Sequence, residues 1–254
     1  MKKLILPVLI LFFAGSCYGQ KDEIYYSIAD AQKKPLEVYY LSLNSKELTS
    51  LPENIGQFTN LTTLDLSTNQ LITLPESMAK LVNLKELFLD HNKLTSMPEC
   101  ISRLSNLVTL KLNNNKLKTI PESISKLKKL KTLELNSNQF TSIPESVTKI
   151  TSLTFLNLFN NMLTIIPESI GQLTNLSTLY LNSNQLASLP ESIGKLANLS
   201  TLYIQGNKLT KLPASIDKLG NLKVLHKTDN DNLVLTPAQE AFSKKVRELE
   251  LITK

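Results

Sequence analysis

The chain has no tryptophan, two cysteines, two histidines and seven glycines among its 254 residues. Each shortage closes a class of function. With Cys17 and Cys100 as the only cysteines, no disulfide framework can staple the fold. His91 and His226 stand far apart and in no ligand-spaced motif, so neither a metal nor a cofactor is expected. The glycines are scattered and form no phosphate-cradling loop. Asp90 and His91 adjoin, yet no motif sets a nucleophile beside them, so no catalytic residue is nominated and a non-enzyme is expected. The formal charge of +6 comes from 28 basic and 22 acidic residues spread along the chain, which makes no nucleic-acid stripe.

Long apolar runs are also missing. Leu4–Ala14 falls well short of the ~20 residues that span a bilayer. With Lys2 and Lys3 before it and small residues after, it reads as a signal peptide over 1–19, cleaved before Cys17 or after Gly19. "AGSC" (Ala14–Cys17) resembles a bacterial lipobox, which implies lipidation of Cys17 and a lipid anchor in the cell envelope. Cleavage after Gly19 would instead leave Gln20 first and release a secreted protein. Either way the two lysines are lost, and 26 basic against 22 acidic residues leave +4.

What the chain does have is a period. From Leu41 a leucine recurs every 23 residues through Leu64, Leu87, Leu110, Leu133, Leu156, Leu179 and Leu202 to Leu225. Eight of the 11 prolines keep that step, from Pro52 to Pro213. So do Asn69, Asn92, Asn115, Asn138, Asn161, Asn184, Asn207 and Asn230. Counted from Val38, the unit is L-x-x-L-x-L-x-x-N-x-L-x-x-L-P-x-x-I-x-x-L-x-x. Three residue types in phase over eight periods exclude coincidence.

The first half of the unit alternates apolar and polar, so it is a short strand with one buried side. Asparagine, whose amide bonds locally to backbone, suits the bend that follows. Leu-Pro then opens a return segment, with proline placed at the first helical position. Ile and Leu at spacing three put one face of a short α- or 3-10 turn inward. About seven side chains per unit turn inward, each worth roughly 1.5–3 kcal/mol when fully buried. One unit cannot stand alone, but a stack can. The expected fold is therefore an α/β solenoid of nine parallel strands, curved because the sheet side is spaced more tightly than the return side.

This pattern resembles the leucine-rich repeat family, and its "LPESI" half resembles the 23-residue subtype of Ras-suppressor-type and many bacterial repeat proteins. The resemblance covers about residues 38–230. It implies a right-handed superhelix with a parallel concave sheet and turns on the convex side. An N-terminal cap is expected over 20–37, where "SIAD" (Ser27–Asp30) offers a capping box. A C-terminal capping segment and helix are expected over 231–254. There Thr236 to Gln239 is a second capping box, and Ala238, Phe242, Val246 and Leu249 share a face. Cys100 sits where most repeats carry serine, read as solvent-facing; drift from serine explains it better than a catalytic thiol.

The resemblance also implies partner binding on the concave face. Of the outward positions, three and seven carry Thr or Asn more often than any other residue, and five varies, so the departures from that background are informative. Phe155, Phe159, Tyr180 and Tyr203 fall in three successive repeats, within roughly 10–15 Å by strand spacing. A second, charged zone holds Glu86, Phe88, Asp90, His91, Lys111 and Glu134. Exposed aromatics rimmed by polar groups are how binding hot spots are built. The sequence thus points to an exported recognition module for a protein or peptide. Self-association as a homodimer through the same patch, glycan binding and catalysis are the alternatives.

Overall fold

Three residues per repeat are all the strand pattern supports, and the chain uses them accordingly. The computed structural model describes residues 23–252, with side chains to Val246. The expected signal peptide and Cys17 lie outside the described residues. Ten strands follow in order: β1 (Ile24–Tyr25), β2 (Tyr40–Ser42), β3 (Thr63–Asp65), β4 (Glu86–Phe88), β5 (Thr109–Lys111), β6 (Thr132–Glu134), β7 (Phe155–Asn157), β8 (Thr178–Tyr180), β9 (Thr201–Tyr203) and β10 (Val224–His226). They form one parallel sheet in sequence order, the inner face of a curved right-handed solenoid. The sequence counts nine strands. The tenth, β1, pairs Ile24 with Tyr40 and extends the sheet into the N-terminal cap.

The register steps by one period at every pairing, so Leu41, Leu64, Leu87, Leu110 and their successors form one buried column. Below the sheet, the inward leucines and isoleucines make one continuous core. The return segments are five-residue 3-10 turns such as Glu53–Gln57 and Glu191–Lys195. One repeat uses a four-residue α-turn instead, Glu145–Thr148.

Proline does not sit at the first helical position. Pro52 is extended (φ −75°, ψ 152°) and caps the turn from one residue earlier. Its carbonyl accepts the Ile55 N–H at 3.1 Å, so proline supplies the turn's first acceptor while its missing N–H leaves nothing unsatisfied. The solvent-facing reading of Cys100 is likewise corrected. That position tucks under the adjacent turn: Cys100 and Ser146 are 0% exposed. Burial pushes the Cys100 thiol up to about 11, so it is held protonated and is no nucleophile near neutral pH.

The asparagine column binds neighbouring repeats together. Asn138 Nδ2 donates to Leu112 O and Leu135 O, each at 3.0 Å, and its Oδ1 accepts the Leu117 N–H at 2.9 Å. Asn69, Asn92, Asn115, Asn161, Asn184, Asn207 and Asn230 repeat that pattern. Each amide serves two turns at once, which an isolated repeat could not offer. A second, exposed asparagine column closes the unit. Asn60, Asn83, Asn106, Asn175, Asn198 and Asn221 each donate to a carbonyl 24 residues back.

Both ends are capped. At the N-terminus, Ser27 Oγ accepts the Asp30 N–H at 3.1 Å and starts α1 (Ile28–Ala31). At the C-terminus, the Thr236 N–H donates to Gln239 Oε1 (3.2 Å) and the Gln239 N–H to Thr236 Oγ1 (3.3 Å), a reciprocal capping box. It opens the helix Pro237–Ile252. Gln239 Nε2 also donates to Leu212 O and Pro213 O, and Val246 is buried, so this helix lies over the last repeat.

Candidate functional site

Position five of each repeat forms a continuous column across the sheet, because the register pairs Phe88 with Lys111, Lys111 with Glu134, and Glu134 with Asn157, then Tyr180, Tyr203 and His226. Phe88, Lys111 and Glu134 of the charged zone and Tyr180 and Tyr203 of the aromatic zone are therefore members of one column, while Glu86 and Phe155 lie at position three beside it. Its middle stretch is ionic. Lys111 Nζ lies 3.1 Å from Glu134 Oε1 and 5.6 Å from the Phe88 ring centroid. Glu86 sits beside this group and accepts the Thr63 hydroxyl at 3.1 Å. Asp90 is half-buried, and desolvation raises its carboxyl above the usual range. The His91 ring meets the Asn114 amide at 3.2 Å.

The later stretch is aromatic. Phe155 and Tyr180 ring centroids are 5.6 Å apart and tilted by 49°. Tyr180 and Tyr203 stack at 4.6 Å and 10°. Tyr203 and His226 stack at 4.6 Å and 5°. The strand spacing of about 4.8 Å sets the two stacked separations, since one ring per strand at one register places rings face to face, whereas Phe155 reaches Tyr180 diagonally from position three. Tyr203 is thus stacked on both faces and Tyr180 on one, with Phe155 tilted against it, and each tyrosine is half-buried. Ring edges and phenolic oxygens are what remains for another molecule to touch. Burial, and then the Tyr203 hydroxyl, raises the Tyr180 phenol, so it stays a hydrogen-bond donor near neutral pH.

Of the four expected aromatics, the structure joins Phe155, Tyr180 and Tyr203. Phe159 is half-buried at position seven, where its N–H donates to Asn157 Oδ1 at 3.0 Å. Among the described residues no ring contact ties it to the ladder. His226 is the member that the sequence reading missed, although it stands one period after Tyr203 at the same unit position. Among the described residues no group of His, Cys, Asp and Glu could hold a metal ion. No described helix is long and apolar enough to cross a membrane.

A family model described as leucine-rich repeat region matches residues 29–116 and 98–185, and one described as leucine rich repeat matches residues 174–231. Comparison with curated protein sequences found no match. Among solved structures, a leucine-rich repeat protein of Leptospira interrogans aligns at TM-score 0.70 and 33% identity, covering 84% of this chain and 63% of that one. An internalin (InlF) of Listeria monocytogenes aligns at TM-score 0.69 and 25% identity, covering 81% and 58%. The ectodomain of the Arabidopsis thaliana membrane receptor kinase GASSHO1/SCHENGEN3, solved with CASPARIAN STRIP INTEGRITY FACTOR 2, aligns at TM-score 0.64 and 33% identity, covering 77% and 26%. The chain therefore spans less than two thirds of the length of each of these neighbours.

Proposed function

The chain belongs to the leucine-rich repeat family, and on that footing we propose that it is an exported, non-enzymatic recognition module that binds a protein or peptide on its concave face. The observation that carries this reading is the aromatic ladder of Phe155, Tyr180, Tyr203 and His226 on β7–β10. It follows Ser42, Asp65, Phe88, Lys111, Glu134 and Asn157 along position five, with Phe155 added from position three, and the leucine core does not require it. A sugar ring packs on an exposed aromatic face, and the central ring, Tyr203, has both faces taken by Tyr180 and His226. Ring edges and phenol donors suit the carbonyls and aliphatic side chains of an extended polypeptide. The plant ectodomain, which shares the fold, was solved in complex with a factor of its own. The Lys111–Glu134 pair beside Phe88 adds a charged end to the same column and gives a ligand a direction.

Affinity capture of a partner, then titration against variants, tests the reading. Tyr180→Ala/Tyr203→Ala is expected to weaken binding about 30-fold or more, as for a central hot spot. Phe155→Ala/Phe159→Ala is expected to weaken it less. Unchanged affinity in both, with circular dichroism intact, would move the site elsewhere. Export rests on the signal peptide. Mass spectrometry of the mature amino terminus separates a lipid-modified Cys17 from a free Gln20.

A further inference from the structure

The flank where the chain leaves each strand carries one sign of charge. In positions eight to fourteen of the second to eighth repeats there are five lysines and no carboxylate. Lys93, Lys116 and Lys118 lie in the third and fourth repeats, Lys208 and Lys211 in the eighth. All five are exposed, and none has an ion-pair partner among the described residues. Carboxylates enter that band only in the flanking first and ninth repeats, at Glu47, Asp229 and Asp231; between them the acidic residues lie on or just after the strands and in the return turns, as Glu86, Glu76 and Glu99 do.

Between the two basic groups sits the sixth repeat, the one repeat of the band that is apolar at both position ten and position thirteen. Met162 is 39% exposed and Ile165 is 61% exposed, where sibling repeats carry Gln or Lys and Ser, Thr or Lys. Their segment is held extended against the preceding repeat: the Met162 N–H donates to Phe140 O (2.9 Å), the Thr164 N–H to Thr141 O (3.0 Å), and Ile165 bridges Ser142 in parallel. The core faces Leu163 and Ile166 inward, so Met162 and Ile165 are not needed for packing. Ile72, 64% exposed, is a further aliphatic in the same band four repeats earlier. Phe159 of the sixth repeat stands at position seven, two residues after β7 and three before Met162.

We propose that this flank is a second docking surface, distinct from the concave face, for an extended acidic polypeptide segment with aliphatic anchors. Its aliphatic side chains would seat on Ile72 and on Met162 with Ile165, and its carboxylates on the lysines between and beyond. At about 4.8 Å per repeat, Ile72 to Met162 spans roughly 19 Å, or about six residues of extended chain. A bilayer is the rival occupant, but the exposed aliphatics of the band, Ile72 in the second repeat and Met162 with Ile165 in the sixth, are separated by polar repeats and make spaced anchors, not a continuous apolar face. An extended polypeptide with two anchors matches that spacing.

Random dodecapeptides displayed on phage are selected against the full chain, and phosphatidylglycerol vesicles are titrated in parallel. The expected result is a family of peptides with net negative charge and aliphatic residues about six apart. Binding should fall at least tenfold in 0.5 M salt. It should fall at least tenfold in Met162→Gln/Ile165→Ser, which carries the residues of sibling repeats and so keeps the fold, and again in Lys116→Gln/Lys118→Thr. The proposal is overturned if no acidic family is enriched. It is also overturned if the selected peptides are lost only in Tyr180→Ala/Tyr203→Ala, which assigns them to the concave ladder. Vesicle binding that depends on the lysines without any selected peptide would assign the flank to a membrane and overturn the polypeptide occupant.

Discussion

Position eight of the unit is left-handed in nine successive repeats, with φ between 52° and 65° from Ser45 to Asp229. Only Gly206 meets that geometry without a Cβ. An L residue there costs roughly 1–2 kcal/mol, less for asparagine and aspartate, whose side chains tolerate it. Thr68, at φ 55°, is the β-branched member and the most strained by type. Its side chain is exposed, and its bond to Asp90 O is made by the backbone. Thr68→Asn should therefore gain about 1 kcal/mol, which for a chain of this size raises the thermal midpoint by roughly 2–4 °C. Differential scanning calorimetry reads this directly; a lower midpoint would mean that the threonine methyl is used. A second change at this scale concerns charge. Folding raises the Asp90 carboxyl by desolvation, so its ionised form disfavours the fold. Asp90→Asn, the commonest residue at this position in its siblings, should stabilise at neutral pH. That advantage should vanish as pH falls below the ordinary carboxylate range, where Asp90 is uncharged in both states. Paired urea titrations at pH 7 and pH 3 check the sign.

At the scale of one element, the 3-10 turns stack more tightly where glycine stands at position nineteen. A Cβ on Gly194 would lie 2.5 Å from Ser215 O and 2.6 Å from its Cβ, and the same holds for Gly56 against Ser77. Other repeats put a hydroxyl there and use it: Ser102 meets Ser123 at 2.8 Å, and Thr148 meets Ser169 at 2.9 Å. Gly194→Ala should cost roughly 1–3 kcal/mol through overpacking against backbone. Gly220→Ala, with nothing within 4 Å of the added carbon, should stay within about 0.5 kcal/mol. Equal midpoints for the two variants would show that the turns can part. These turns also mark where sequence reading runs out. Strand, bend, turn and core positions were all legible, because one period imposed the same burial on each. The proline one residue early, the left-handed eighth position and the buried seventeenth were not, because a period reports recurrence and says nothing of φ, ψ or of what stacks above. His226 was within reach by the same period, but a histidine among tyrosines does not announce a stacked ring.

For the whole molecule, the strand order β1 to β10 without a crossover means that each repeat touches only its neighbours. Stability is then a sum of repeat terms and interfaces, so the place of a defect matters as much as its size. Asn138 and Asn230 lose nearly the same bonds on truncation: two carbonyl acceptors and one N–H donor in the flanking turn. Each should cost about 3 kcal/mol or more, since buried backbone groups are left unpaired. Asn138 lies mid-stack, and Asn230 lies beside the C-terminal cap. Asn138→Ala should therefore uncouple the two halves and give a broadened urea transition with a lowered apparent m-value, read differently by probes in each half. Asn230→Ala should let the last repeat and its helix fray while the remaining stack unfolds near the parent midpoint. The aromatic ladder provides the internal probe once Tyr18, Tyr25, Tyr26, Tyr39 and Tyr40 are replaced by phenylalanine in both backgrounds, because the remaining Tyr180 and Tyr203 sit in the C-terminal half. Tyrosine fluorescence and far-ultraviolet circular dichroism should separate in Asn138→Ala and coincide in the parent. Coincident transitions in both would mean that the solenoid folds as a single cooperative unit, with interfaces stronger than any one repeat.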